Sequence, residues 1–217
     1  MDSWKVWQIV DSAFPTGGFA HSWGLEAAWQ TGDVNDGSLV RFLRDTISQT
    51  GHGALPFVTS AHTDPDQLPQ FDALCDVFLT NPVANRASRA QGSACLATCA
   101  RTWPLPALLA LEQQSRGRAR HLAPIFGGAM RLLDLPLDVT QRVFLYSTAR
   151  GVLAAAVRLG IVGSYAAQRL QHECASDLDL TVERCGGLGA EDVAQTAPIV
   201  DIVQAAHDRL YSRLFQS

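Results

Sequence analysis

The segment from Asp138 to Leu159 is the feature that most constrains the fold of this chain. Asp138 is typical of a helix N-cap and Gly160 of a helix end, so the sequence predicts one helix between them, roughly 33 Å long at 1.5 Å per residue. Apolar residues lie on nearly all of its sides, in two stripes: Val139, Val143, Tyr146, Leu153 and Val157, and Leu145, Val152, Ala155 and Leu159. Such a helix is predicted to lie inside a bundle of other helices.

One charged residue, Arg150, falls within the first of these stripes. An unpaired internal charge costs several kcal/mol, so we expect acceptors around its guanidinium group. The expected partners are a carboxylate from the N-terminal region, such as Asp11 or Glu26, or backbone carbonyls at a helix end. The pattern favours a structural buried charge at Arg150 over a functional site.

Most of the remaining chain repeats apolar residues at intervals of three and four, with Gly and Pro between the repeats. The alternation at Leu178, Leu180 and Val182 is typical of a strand, but no second candidate strand could pair with it, so we interpret it as helical. We therefore predict an all-α fold. Residues 1–217 are expected to form a single-domain helical bundle of roughly eight to ten helices around a long buried central helix.

Two further expectations concern local structure. The Gly127-Gly128 pair lies in the middle of a predicted helix over 121–133, which it should weaken or bend. The last helix is predicted to run from Pro198 to about Phe215, because Pro suits a first turn and apolar residues continue at helical spacing.

The stretch from Phe14 to Glu26 predicts a sharp corner between two helices. Pro15 lacks a backbone N–H, so a helix starting near Ser3 should stop near Phe14. Gly17 and Gly18 then favour a tight turn, after which Ser22 can cap a helix that ends at Gly32.

The chemistry of this corner favours a contact surface over a reaction. A glycine turn before a helix can bind phosphate, but no Lys-Ser or Lys-Thr follows at the spacing of a nucleotide-binding loop. His21 and Glu26 are five residues apart and do not share a helix face, which makes a metal or acid–base pair between them improbable.

Composition excludes several classes of protein. The formal net charge of −4 and a pI of about 5.8 argue against sequence-independent nucleic-acid binding. The longest strongly apolar stretch, Val152 to Val157, is too short to span a bilayer. The N-terminus carries Asp2, Lys5 and Asp11, so no signal peptide is visible. Five cysteines without the spacing of a disulfide framework indicate reduced thiols and a cytoplasmic protein.

No motif in the sequence indicates a metal or catalytic site. Cys95 and Cys99 are four apart on a predicted helix and could share a metal, but their small apolar neighbours favour simple burial. There is no His-x-x-x-His, no paired CxxC and no nucleophile elbow.

Two other stretches carry features of interaction surfaces. Arg86 and Arg89 form a polar patch on a helix over 85–101 whose residues are otherwise mostly small. The chain ends in Leu-Tyr-Ser-Arg-Leu-Phe-Gln-Ser, which keeps Tyr211, Leu214 and Phe215 within a few residues of the end. This is the composition of an interface anchor, so the segment is expected either to fold back onto its own core or to dock into a partner.

Four motifs in order resemble the urease accessory protein F family, over essentially the whole chain. The first is the Asp-Ser-x-x-Pro-Thr-Gly-Gly-Phe-Ala-His-Ser-x-Gly-Leu-Glu-Ala-Ala pattern within Ile9 to Ala28. The second is Arg-Ala-Ser-Arg-Ala-Gln-Gly at 86–92. The third is Ala-Arg-Gly-Val-Leu-Ala-Ala-Ala-Val-Arg-Leu-Gly at 149–160. The fourth is His-Asp-x-Leu-Tyr-Ser-Arg-Leu-Phe at 207–215. The first and last are worded most like the plant branch of the family.

The resemblance implies a homodimeric, all-α scaffold that acts in loading nickel into urease. In that family, protein F bridges accessory protein D, called H in some organisms, and the GTPase accessory protein G, and the assembly delivers nickel to apo-urease. Protein F itself is not an enzyme there. The resemblance therefore implies no tightly bound cofactor, with nickel handled by the assembly.

The resemblance also implies where partners bind. The tail residues Tyr211, Arg213, Leu214 and Phe215 would contact accessory protein D. Arg86 and Arg89 would contribute to the dimer or to the GTPase face. The corner is the other expected partner-binding surface, through Pro15, Gly17, Gly18, Phe19, His21, Ser22 and Glu26.

Two alternatives remain open at this point. One is a small all-α enzyme that uses His21, Glu26 and Arg150 in a cleft at the corner. The other is a direct regulator of the GTPase that supplies an arginine such as Arg86 to its active site.

Overall fold

The architecture is all-α, as predicted, in a computed structural model that describes residues 3–217. No strand occurs within those residues. The helices of residues 3–217 are α1 Ser3–Val10, α2 Leu25–Thr31, α3 Leu39–Gly53, α4 Leu55–Thr63, α5 Leu68–Phe78, α6 Pro82–Thr102, α7 Pro106–Gln114, α8 Leu122–Leu132, α9 Leu137–Arg158, α10 Ser164–Glu173, α11 Ala175–Cys185 and α12 Pro198–Ala205. A single residue separates α3 from α4 and α10 from α11. If each of these pairs is counted as one helix, residues 3–217 contain ten helices, within the predicted eight to ten. Short 3₁₀ turns occupy Gly18–Ala20, Pro65–Gln67 and Ala206–Arg209.

The long helix α9 is the centre of the bundle, in agreement with its apolar character. It packs against α1, α2, α3, α4, α8, α10 and α11. Its N-cap is Pro136, one residue before the helix starts, so Asp138 lies in the first turn and does not cap it. There the Asp138 carboxylate still complements the positive end of the helix dipole.

The buried core has two large clusters, with α9 running through both, and a third small one formed by Ala61, Leu68, Leu96 and Ile125. Near the start of α9, Val143, Phe144 and Leu145 join a cluster with residues of α4, α6 and α8. Near its end, Val152 and Leu153 join a second cluster with α2, α3 and α10. The second cluster also includes Phe215 from the end of the chain, so the tail belongs to the core at that position.

Helices α4 and α8 make the most extensive contact between two helices, and Gly127 lets their backbones approach. A Cβ atom on Gly127 would lie 2.2 Å from the carbonyl oxygen of Val58 on α4, and one on Gly128 would lie 2.4 Å from a methyl carbon of Leu68, the first residue of α5. Helix α8 continues through both glycines, from Leu122 to Leu132, so they do not divide it. Their small size lets α4 and the start of α5 pack closely against α8.

The final helix is shorter than predicted. It ends at Ala205, and after the 3₁₀ turn at Ala206–Arg209 the backbone becomes extended at Leu210 (φ −64°, ψ 136°). The strand-like alternation at 178–182 is helical, as expected, within α11. Within residues 3–217, none of the helices combines the length and hydropathy required of a transmembrane span.

Candidate functional site at the junction of corner and tail

The corner, residues 14–26, makes its turn with left-handed backbone at two glycines. Helix α1 ends at Val10, earlier than the predicted stop near Phe14. Gly17 has φ 76° and precedes the 3₁₀ turn Gly18–Ala20, and Gly24 has φ 83° and precedes α2. The N-cap of α2 is therefore Gly24, whereas Ser22, the predicted cap, lies two residues earlier, although its Oγ accepts from the backbone N–H of Glu26 in the first turn at 3.4 Å. As predicted, α2 ends before a left-handed Gly32.

The Glu26 carboxylate fixes the tail, residues 210–217, to the corner. The backbone N–H of Leu214 donates to Oε1 at 2.6 Å, and that of Phe215 donates to Oε2 at 3.1 Å. Oε2 is also 3.0 Å from Nε2 of His207. Glu26 is 1% exposed and His207 is fully buried, so water does not compete for these bonds. Hydrogen bonds to an ionised acceptor are among the strong ones in proteins.

The last two residues continue this attachment along the corner backbone. The N–H of Gln216 donates to the carbonyl of Ala20 at 2.8 Å, and the N–H of Ser22 donates to the carbonyl of Ser217 at 2.6 Å. The Ser22 hydroxyl donates to the same carbonyl at 2.9 Å. His21 is hydrogen-bonded through Nδ1 to the hydroxyl of Ser217 at 2.6 Å. These partners explain why the backbone leaves the helix before the tail.

His21 is neutral in this arrangement. Burial, together with the nearby His207, lowers its pKa from the ordinary 6.5 to about 4. The cause is that a charged imidazole would lose its hydration there. His21 therefore acts as a buried hydrogen-bonding group that holds the end of the tail.

Two aromatic rings and Arg158 close the junction on the side of α9. The Arg158 guanidinium carbon lies 4.0 Å from the ring centre of Phe19 and 4.2 Å from that of Phe215. Its Nη1 also donates to the carbonyl of Phe19 at 2.6 Å. Phe215 is buried, whereas Phe19 is 69% exposed. The cation therefore joins one ring from the corner and one from the tail.

The outer side of the tail faces solvent. Tyr211 is fully exposed and Leu214 is 53% exposed. Arg213 lies 3.5 Å from Asp208 in an exposed ion pair. Thus, of the four predicted tail residues, Phe215 anchors the tail to the chain itself, and the other three point outward.

The predicted arginine patch on α6 also meets the end of the chain. Nη2 of Arg86 donates to both carboxylate oxygens of Asp208, at 2.8 and 3.1 Å. Arg89 is exposed on the same helix. The Arg86 guanidinium group is therefore paired within the chain. An arginine supplied to the active site of a GTPase would instead need an unpaired guanidinium group.

A cavity of about 430 Å³ lies beneath the corner, between α1, α6, α8, α9 and the tail. His21 and Arg150 line it, as do Pro15, Gly17 and Gly18, but Glu26 does not. The postulated set of His21, Glu26 and Arg150 is thus not assembled in one cleft. Glu26 is instead occupied by His207 and two backbone N–H groups.

Arg150 is not the paired internal charge that the sequence predicts. The residue is half-buried, and its Nε atom is buried without a hydrogen-bond partner among the described residues. Both proposed carboxylate partners are used elsewhere: Glu26 binds the tail, and Asp11 accepts from the N–H of Ala13 at 2.7 Å.

The cysteines are all buried and free. Cys95 and Cys99 are both fully buried on α6, and a hydrogen bond between them, together with burial, raises the pKa of Cys95 well above its ordinary value. In residues 3–217, no three His, Cys, Asp or Glu side chains are placed to hold a metal ion.

The sequence reasoning missed two residues that organise the junction, His207 and Arg158. His207 stands at the start of the fourth motif, so the motif contained the signal. Arg158 lies in the third motif, but nothing in that motif indicates its ring contacts, because its partners come from both ends of the chain.

Comparison with known proteins identifies the family. The UreF family model matches residues 34–175. "Urease accessory protein F" of Oryza sativa subsp. indica is 40% identical over 219 residues, covering 98% of this chain and 84% of the relative. The protein of the same name from Arabidopsis thaliana is 40% identical over 221 residues, covering 99% and 92%. "Urease accessory protein UreF" of Arthrobacter sp. (strain FB24) is 30% identical over 217 residues, covering 97% and 95%. By the extent of these matches, the chain belongs to the urease accessory protein F family.

Proposed function

We propose that this chain is a non-catalytic, homodimeric scaffold of urease maturation, which bridges accessory protein D/H and the GTPase accessory protein G while nickel is inserted into apo-urease. Family membership and the printed names of the relatives support the role in urease maturation. The observation that carries the scaffold role is the tail, whose backbone is fixed from inside while its large side chains face outward.

An ordered tail is suited to binding a protein partner. Association costs free energy for every segment that must be immobilised, and a segment already held in place avoids that cost. The bonds from Glu26, Ala20 and Ser22 hold the tail backbone, leaving Tyr211 and Leu214 exposed. Tyr is enriched among the residues that contribute most to protein–protein binding. The outer side of the tail is therefore the proposed contact with accessory protein D.

Most of the corner residues support this surface without being exposed on it. Ser22, His21 and Glu26 are buried and hold the tail, whereas Phe19 is exposed beside it. The proposed partner surface thus consists of Phe19, Tyr211 and Leu214, with Arg213 at its edge.

The test is binding to purified accessory protein D, measured by size-exclusion chromatography and calorimetry. In the double variant Tyr211→Ala/Leu214→Ala, we expect affinity to fall by about tenfold or more, as for interface residues that each contribute over 1 kcal/mol. The matched control is Tyr165→Ala, because Tyr165 is another exposed tyrosine, 85% exposed on α10, and is not part of the proposed surface. It should bind normally.

Unchanged binding by the double variant would contradict the proposed contact. Deleting Leu210 to Ser217 should abolish the complex, but that deletion also leaves Glu26 and His207 without their tail partners. The two substitutions avoid this ambiguity because neither side chain is part of the core.

A further inference from the structure

The cavity beneath the corner combines an apolar lining with positive charge. Most of its lining is apolar, including Ile9, Phe126 and Phe144. The charged side chains that line it are Arg150 and Arg158, and none of its lining residues is Asp or Glu. Burial keeps His21 neutral there. A volume of about 430 Å³ is within the range of small-molecule sites in proteins.

Of the two arginines that line this cavity, Arg150 is the one with a buried donor that lacks a partner. Its Nε is buried and has no hydrogen-bond partner among the described residues. A buried donor left unsatisfied costs free energy, and more when the group is charged. By contrast, Arg158 already donates to the carbonyl of Phe19 and lies between two aromatic rings. Arg150 is thus the charged donor that remains available in the cavity.

We propose that this cavity is a binding site for a small organic carboxylate with an apolar body, whose carboxylate accepts hydrogen bonds from Arg150. Arginine and carboxylate form charge-assisted bonds, often two in parallel, which would satisfy the group that the fold leaves open. The apolar walls from α1, α8 and α9 would cover the body of the ligand. A cation does not fit this combination, since none of the lining residues is Asp or Glu, and the mainly apolar walls favour a ligand with an apolar body over a purely polar one.

The proposal does not depend on the role in urease maturation, so it is tested with the purified chain alone. Decanoate, below its micellar concentration, is the probe, and isothermal titration calorimetry measures its affinity. Decan-1-ol has the same apolar body without the charge, and acetate has the charge without the body. We expect decanoate to bind at one site per chain. Its affinity should be at least about tenfold higher than that of either control, because decan-1-ol lacks the charged hydrogen bond and acetate lacks the apolar contacts.

Variants locate the binding. Arg150→Met keeps much of the side-chain volume and should weaken decanoate binding by about tenfold, leaving decan-1-ol binding unchanged. Arg150→Lys retains the charge and should keep the preference for decanoate over decan-1-ol. Arg142→Met, on the same helix but at an exposed position paired with Asp179, should bind decanoate normally.

Several outcomes would overturn the proposal: no decanoate binding, equal affinity for decanoate and decan-1-ol, or equal losses in the Arg150 and Arg142 variants. Ligand-induced stabilisation provides a second measurement. Decanoate should raise the thermal unfolding temperature of the unaltered protein and of Arg150→Lys, but much less that of Arg150→Met. The comparison between decanoate and decan-1-ol in the unaltered protein requires no variant and tests the proposal even if Arg150→Met fails to fold.

Discussion

The contact between α4 and α8 and the junction between corner and tail are both buried, but they are held together differently. At the first, Gly127 lets the backbone of α8 approach the backbone of α4 at Val58. At the second, Glu26, His207 and His21 join segments that are more than 180 residues apart in sequence. One contact depends on shape and the other on the pairing of polar groups.

This difference matters for what each region can do. Close-packed interiors respond to small changes of volume, and such changes affect the whole domain. A polar junction of an end segment can open locally, because water can satisfy the groups that separate. The α4–α8 contact is therefore expected to set global stability, whereas the junction sets whether the tail is presented to a partner.

The largest expected effect is at the helix contact. In Gly127→Ala, the new Cβ would lie 2.2 Å from the carbonyl oxygen of Val58, so one helix must move. We expect a loss of about 3 kcal/mol in the free energy of unfolding, despite the better helix propensity of Ala. Urea denaturation measures it. Gly187→Ala is the control, since nothing lies within 4 Å of its added Cβ. Equal stability of the two variants would show that α4 and α8 tolerate separation.

The next effect is at the junction. In Glu26→Gln, an amide NH₂ group replaces one carboxylate oxygen, which accepts a hydrogen bond from the tail or from His207. The donor that was bonded to this oxygen is then buried without an acceptor. We expect a cost of about 2 kcal/mol. Most of it should appear as local opening. Hydrogen exchange at the amides of Leu214 and Phe215 should quicken, with protection in α8 unchanged. Glu173→Gln, at an exposed position on α10, is the control. If α8 lost protection as much as the tail did, the proposed independence of the two regions would be wrong.

The helices were predictable because their signals are local. The apolar stripes of α9 and the left-handed Gly32 after α2 follow from spacing and from the conformational freedom of glycine. The sequence did not indicate the benefit of Gly127 and Gly128, because local propensity disfavours glycine in a helix, while the close packing involves elements distant in sequence.

The candidate site was predictable only in its parts. The corner and the tail both carried features of contact surfaces, but nothing in the sequence indicates that they contact each other across about 190 residues. For the same reason the last helix was predicted to be too long: apolar spacing continues to Phe215, whereas the backbone donors of the tail are taken by Glu26 and Ala20. At Arg150, by contrast, the sequence predicted a contact that is not formed, because the expected partner Glu26 binds the tail.

A smaller effect concerns pH and separates the two regions further. The folded-state pKa of His21, about 4, lies below the ordinary 6.5, so the unfolded chain binds more protons between these values. Stability should therefore fall as the pH decreases from 6.5 towards 4, by at most about 1.4 kcal/mol per pH unit from this residue. Burial also lowers the pKa of His62, which adds a loss of the same sign.

Comparing variants isolates the contribution of the junction. His21→Asn, which can still bond to the hydroxyl of Ser217, should make the decline of stability between pH 6.5 and 5 shallower in urea denaturation. His172→Asn, at an exposed position on α10, should leave the slope unchanged. If His21→Asn kept the full slope, the pH dependence would belong to His62 or other groups of the core.

The smallest expected effect is at the exposed ion pair between Arg86 and Asp208, which connects α6 to the segment before the tail. The Arg86 side chain is 56% exposed and that of Asp208 43% exposed, so water and salt screen the pair. Arg86→Ala should therefore cost at most about 0.5 kcal/mol in urea denaturation, and less in high salt. Arg41→Ala, which removes an exposed pair within α3 at 3.8 Å, is the matched control. A cost well above that of the control would mean that Arg86 helps to hold the end of the chain, and that charges on the surface reinforce the buried bonds of Glu26. A cost equal to that of the control would leave the buried carboxylate as the main electrostatic attachment of the tail.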